Sequence, residues 1–356
     1  MPELSRETKA LLDDLERRIE PEVEEDFIAQ WSDFTFDRFE GELFAPKRKR
    51  FTEPGVPLRH IRINEAIENY DAMLYSQMAK VSSFLSLKAA EARRSANLSI
   101  RANYGTGILS SLFGAELFMM ADEADTLPTT KQLPGDDAME RILGEGMPDF
   151  RKGLGEKVFA FAEFASESLK DYPKISKYVT VYHPDLQGPL DICDLLFGEK
   201  MFYAFYDDPE LLHGVLDLIT ETYTGFLKAW HEFYPPRPDM NPHWDQLWHR
   251  GTILLRNDSA MNLSPDIYEE FSVPYDAKLL ARFGGGAMHF CGRGDHYIEA
   301  LCRIPGLYAV NMSQPHLNDM EKIYRNTVDK GIKLVGFDAA WAEKDLARGF
   351  RHNLSI

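Results

Sequence analysis

Residues 286–294 read GAMHFCGRG, and the reading of this stretch decides the fold. The run 287–291 is short and apolar with a glycine-rich break after it, which predicts a buried strand. The DHYIEALCR that follows predicts a helix with Asp295 near its start. Side chains two apart on a strand point the same way. His289 and Cys291 therefore share one spot at the C-terminal end of the strand. In proteins built of parallel strands, ligands and catalytic groups collect at that end. An imidazole and a thiol there suit a metal site, or a reactive cysteine beside a histidine. They suit equally a core thiol next to a hydrogen-bonded imidazole.

Outward from this stretch the same unit recurs. On the C-terminal side, LYAVN (307–311) and IKLVGFD (332–338) read as strands, with helices at 318–330 and 343–348, and Asp338 closes the second strand. On the N-terminal side, TILLRND (252–258) ends in Asp258. It leads to a helix start in which Ser264 caps and Pro265 takes the first position. KYVTVYH (177–183) is rich in β-branched and aromatic residues and runs into HPDLQGP, which carries His183, Asp185 and Gln187. LSIRANYG (98–105) sets Arg101 and Asn103 on one face with Tyr104 beside them, a group that suits a substrate carboxylate or an internal ion pair. Helices are expected at 67–92, 155–171 and 208–233, and a short strand at 59–64. The stretch 235–251, PPRPDMNPHWDQLWHRG, reads as a loop whose His243, Trp244, Trp248 and His249 can line a pocket or serve the packing. Residues 121–153, acidic and rich in Pro and Gly, read as a long loop or lid. Residues 1–58, a helix over 5–30 and an aromatic stretch, are expected to be a helical arm packed on a body formed by 59–356, one structural domain in all.

Strand–helix alternation from residue 98 onward predicts the α/β class and a (β/α)8 TIM barrel. His183, Asp258, His289, Cys291 and Asp338 all fall at or just past strand ends, which a barrel turns toward one site. The chain ends soon after 338, so the last strand is expected to be missing or replaced by one from the N-terminal side.

The chain has 356 residues, 40 basic against 57 acidic, and a net charge of −17. That argues against nucleic acid or an anionic membrane as partner. Lys47-Arg-Lys-Arg50 is a lone basic run, read as a solvated loop before an address signal or an anion contact. Three cysteines (193, 291 and 302) give no disulfide framework and fit a reducing, cytoplasmic setting. No apolar leader and no apolar run of about 18 residues stands in the sequence.

HFCGRGDHYIEAL (289–301), NLSPDIYEEFSVPYDAKLL (262–280) and HPDLQGPLDICDLLFG (183–198) together resemble the uroporphyrinogen decarboxylase superfamily, over roughly residues 98–345. The resemblance implies a (β/α)8 barrel and one of two activities. One is the decarboxylase of haem biosynthesis, a lyase; the other is zinc-dependent methyl transfer between corrinoid proteins and thiols. The Arg-rich motif of the decarboxylases is missing from residues 1–60. The third zinc-binding cysteine of the methyltransferases is missing too, because no cysteine follows Cys302. The expectation is an enzyme nearer the methyltransferases, with zinc on His289 and Cys291 and with Asp338 or His183 as third ligand. Asp258, His183 and Arg101 would then be catalytic, and Asn103, Tyr104, Gln187 and Trp244 would contact substrate. A corrinoid protein and a second copy of the chain are the expected partners. Two alternatives stand beside this one: decarboxylation of a carboxylated substrate using Asp258 and Arg101, and a non-catalytic binding protein on the same barrel.

Overall fold

Apolar runs that stay apolar on both faces make the central sheet. A computed structural model describes residues 4–87, 96–349 and 354–356. Six strands hydrogen-bond in one all-parallel sheet. They are β1 (Leu43–Phe44), β8 (Ile253–Arg256), β9 (Gly286–Phe290), β10 (Leu307–Met312), β11 (Lys333–Leu334) and β12 (Leu354–Ser355), in the order β1-β12-β11-β10-β9-β8. A separate parallel pair joins β2 (Ser99–Ile100) to β5 (Thr180–Val181). β3 (Leu117–Phe118) with β4 (Thr129–Thr130), and β6 (Met240–His243) with β7 (Leu247–Arg250), form antiparallel hairpins.

The two faces of the large sheet bury different partners. Leu255, Met288, Val310 and Leu334 point into the main core, which they share with the surrounding helices. Leu254, Ala287, Ala309 and Val335 alternate with them. These four pack on Leu247 and Trp248 of the β6–β7 hairpin and on Phe27, Trp31 and Phe34 of the helix Pro21–Thr35. Burial on both faces explains why β9 and β10 read as unbroken apolar runs. Gly286 permits the tight β8–β9 contact, since a Cβ there would lie 1.8 Å from the carbonyl oxygen of Ile253.

The mixed α/β class expected from the sequence is found. The strands form a six-stranded and a two-stranded parallel sheet, and no backbone ladder joins β5 to β8 among the described residues. Across that gap the Leu254 N–H donates to His183 Nε2 at 3.2 Å. The C-terminal strand absent from the sequence reading exists as β12, and an N-terminal strand, β1, pairs beside it.

Several local expectations change. Pro21 divides the expected helix over 5–30 into Arg6–Arg18 and Pro21–Thr35, because proline fits only the first turn of a helix. Residues 59–64 do not form a strand. The polar groups of His60, Arg62 and Ile63 turn to residues 122–125, with Ile63 N–H donating to Asp125 Oδ1 at 2.8 Å, and a helix starts at Ile63. The helix expected over 67–92 is divided at Asn69, whose side chain caps Tyr70–Phe84; its far end lies outside the described residues. The expected lid is pinned by Leu133 N–H donating to the Leu196 carbonyl and by the buried Met139 and Ile142 of helix Ala138–Glu145. The expected loop 235–251 is the β6–β7 hairpin.

Candidate functional site

The register of three neighbouring strands builds the site. Arg256, His289 and Asn311 are direct cross-strand partners on β8, β9 and β10. Each lies two residues past an inward apolar residue, Leu254, Ala287 or Ala309, so the apolar face becomes a polar row at the strand ends. Two residues further on, Asp258, Cys291 and Ser313 make a second row just beyond the sheet. The donor atoms of Asp258, His289 and Cys291 lie within 4.8 Å of one another. His289 Nε2 is 3.3 Å from Cys291 Sγ and 3.6 Å from Asp258 Oδ1. That carboxylate oxygen also accepts the Cys291 N–H at 2.7 Å, which ties the strand end to the loop after β8.

The tautomer of His289 is fixed by its neighbour. Asn311 Nδ2 donates to the carbonyls of Val335 and Gly336, so its Oδ1 must accept. His289 Nδ1–H donates to it at 2.6 Å, leaving a lone pair on Nε2 that faces Cys291 and Asp258. Burial pushes the His289 pKa down, against the pull of Asp258, so the ring is neutral at neutral pH. Burial also pushes the Cys291 thiol up, and the Asp258 carboxylate adds to that. A neutral imidazole nitrogen, a carboxylate and a thiol held near a carboxylate form a donor set that a dication would complete, since its charge reverses the cost of ionising the thiol. Nitrogen, sulfur and oxygen donors with a position left for substrate match the coordination habits of zinc.

Behind this row the helix Pro189–Phe197 supplies a support. Asp191 accepts the N–H groups of Asp258 at 2.9 Å and Ser259 at 2.8 Å, fixing the loop that carries Asp258. Burial, with the Asp258 charge added, raises its pKa to about 7. The Gln-Gly-Pro segment has a steric purpose. Gln187 has a φ of 64°, and a Cβ on Gly188 would lie 2.1 Å from the Arg256 carbonyl oxygen, so only glycine lets the helix start against β8.

On the other side Asp185 gathers the cations. It pairs with Arg256 and with Arg101 Nη1 at 3.2 Å, and it accepts from Gln187 Nε2 at 2.6 Å. Burial and the nearby Arg101 lower the Arg256 guanidinium to about 9. Arg101 Nε also donates to Asn103 Oδ1 at 2.9 Å. The Arg256 guanidinium lies over the Trp244 ring at 4.7 Å, and Trp244 meets His289 edge-on at 4.9 Å. His289, Trp244, Asn311, Ser313 and Asp338 line an open cavity of about 840 Å³, with Lys47 at its wall.

The structure thus gathers Arg101, Asn103, Gln187, Trp244, Asp258, His289 and Cys291 around one region. Asp338 lines the same cavity, where its carboxylate caps the helix Ala339–Ala347 by accepting the Trp341 N–H at 2.8 Å; Asp258 stands in the cluster instead. His183 sits elsewhere, with Nδ1 donating to the Pro184 carbonyl at 2.8 Å and Nε2 accepting from Leu254. Tyr104 is buried in the main core. Sequence reading did not single out Arg256, Asp191 or Asn311, and noted Asp185 only as the acid of the turn-rich segment after His183. The signal for Arg256 and Asn311 was their place two residues beyond inward apolar positions; Asp185 and Asp191 had none beyond their closeness to the Gln-Gly-Pro segment.

Fold and site together define an α/β protein with a candidate metal-binding group at the ends of parallel strands. No family model matches the chain, and no curated protein matches it. Among solved structures it resembles a methyltransferase from Methanosarcina mazei, with a TM-score of 0.57 and 17% identity over 77% of this chain and 71% of that one. This likeness concerns the fold. No helix among the described residues is long and apolar enough to cross a membrane.

Proposed function

We propose that the chain is a methyltransferase-like enzyme on a (β/α)8 barrel that is open between β1 and β2 and between β5 and β8, using zinc held by Asp258, His289 and Cys291 to activate a thiol. The observation that carries this reading is the three-donor cluster, with the His289 lone pair turned into it by Asn311. The fold likeness to a methyltransferase supports it. Zinc bound there supplies Lewis acidity, which brings the ionisation of an incoming thiol toward neutral pH. The chain's own groups do the rest. Asn311 holds the imidazole, Asp191 holds the loop of Asp258, and Trp244 walls the cavity beside His289. In the reaction the substrate sulfur forms its bond to the methyl carbon as the bond from that carbon to the donor breaks, and the thiol proton leaves to solvent. A corrinoid carried by a partner protein is the proposed methyl donor.

Decarboxylation draws less support, because Arg101 and Arg256, the two arginines beside Trp244 and Gln187, already face Asp185. Metal content decides between the readings. Protein purified without chelators is expected to carry about one zinc per chain. Cys291→Ser and Asp258→Asn should lose it, while Asp338→Asn should keep it. Zinc-loaded protein should then methylate a thiol from a methylcorrinoid. A wild-type protein that takes up no zinc would remove this proposal and leave a binding role on the same fold.

A further inference from the structure

A second cavity of about 440 Å³ lies away from His289, beside the gap between β5 and β8 and against the C-terminal end of the helix Pro209–Phe233. Its wall carries Lys170, Lys177 and Arg237 but no Asp or Glu. That runs against the overall balance of 57 acidic and 40 basic residues in the chain. Lys170 and Lys177 pair with Glu167 and Glu25 at the surface. Arg237 is half-buried and has no carboxylate partner among the described residues. Its guanidinium lies 5.4 Å from the Trp248 ring and reaches only the Lys177 carbonyl, at 3.4 Å.

At the cavity's inner wall a relay of imidazoles ends in a bare acceptor. His249 Nδ1 lies 2.9 Å from the Arg250 carbonyl, so it carries the proton and donates. His249 Nε2 must then accept across the 2.7 Å contact, and His243 Nδ1 must donate. His243 Nε2 is left as a lone pair. His243 is 3% exposed, and its Nε2 finds no hydrogen-bond partner. A buried polar atom left unpaired is costly, and His243 is one of the residues that line the cavity. The other walls mix apolar groups such as Trp230, Tyr234 and Val181 with polar ones such as His183, His231 and Asn241.

We infer that this cavity binds a small organic carboxylate that also carries a hydroxyl group, with the carboxylate on Arg237 and the hydroxyl donating to His243 Nε2. The site is separate from the metal-binding group, though the hairpin joins them: His243 lines this cavity and its neighbour Trp244 lines the other.

Calorimetric titration with lactate and glycerate tests this, with propionate and 1,2-propanediol as the partners lacking the hydroxyl or the charge. Lactate or glycerate should bind saturably, and propionate and propanediol roughly tenfold more weakly or worse. Arg237→Gln should weaken lactate by roughly tenfold or more. His243→Phe should bring lactate down to the level of propionate and leave propionate unchanged, which a merely unfolded variant would not do. Cys291→Ser should bind lactate as the wild type does, whatever its zinc content. Absence of saturable binding, binding that survives Arg237→Gln, equal affinity for lactate and propionate, or loss in Cys291→Ser would each overturn the inference.

Discussion

Asn311 shows how one side chain sets the chemistry of another. Its amide donates to two carbonyls and so presents oxygen to His289, which aims the other ring nitrogen at Cys291 and Asp258. Outer partners of this kind typically change metal affinity 10- to 100-fold. Asn311→Leu is therefore expected to weaken zinc binding by roughly that factor while circular dichroism stays that of the wild type. Unchanged affinity in a competition titration would show that His289 is oriented without Asn311. At this scale the sequence was half legible. The two-residue spacing of His289 and Cys291 needs only the alternation of a strand to be read. The third donor was not legible, because Asp258, Asp338 and His183 all stand at strand ends. What separates them is that β8 is the hydrogen-bonded neighbour of β9, with Arg256 opposite His289. Strand adjacency and register are properties of the sheet that no local spacing encodes.

The β6–β7 hairpin has the opposite history. Its prolines and turn residues read as a loop, yet Trp248 and Leu247 fill one face of the large sheet. Tertiary packing, not local pattern, makes it a hairpin. It also brings His243 and His249 together with His183 in a buried cluster. Burial lowers His183 to about 3 and His249 to about 4, and holds His243 well below its ordinary value. Nearby His231 is lowered to about 4 by the same cause. The unfolded chain takes up protons at these groups below about 6.5 and the folded chain does not, so stability is lost as pH falls from 6.5 toward 4. Buried Asp276 and Asp191 act the other way. Their pKa values are raised to about 8 and about 7, so the stability they give at low pH is lost as pH rises through those values. The imidazoles outnumber the carboxyls below 6.5, and only the carboxyls titrate above it. Metal-free protein should therefore be most stable to urea near pH 6.5, with a lower midpoint at pH 5 and at pH 8. His249→Gln should flatten the acid side. A midpoint that climbs steadily from pH 8 to pH 5 would contradict this account.

For the whole molecule, the question is what holds the N-terminal helices to the sheet, since no ladder joins β1 to β2 among the described residues. Arg48, in the basic run that read as solvated loop, is buried. It grips Glu24 with two bonds of 2.7 and 2.9 Å, donates to the Ala96 carbonyl at 3.0 Å, and lies over Phe27. Removing one partner of such a pair strands a buried charge, at a cost of about 3–5 kcal/mol. Arg48→Ala should show that loss in chemical denaturation, and adding Glu24→Ala should restore part of it. If Arg48→Ala unfolds like the wild type, the N-terminal segment is held by its apolar contacts alone. The same scale shows the limit of sequence reading. The long strands β9 and β10 announce themselves because they are buried on both faces. β1 and β12 are two residues each, too short for any periodicity, and exist only through their ladder with one another and with β11.

Trp244 has one more consequence. It adopts a φ of 52° in the hairpin turn, its ring beneath the Arg256 guanidinium and edge-on to His289. An indole so placed is an optical reporter built into the cavity, because its emission answers to the charge carried by the imidazole it touches. Of the five tryptophans in the chain, it is the one seated against the proposed metal ligand. Loading the site with zinc should shift the emission of the intact protein, and Trp244→Phe should silence that response while leaving zinc uptake in place.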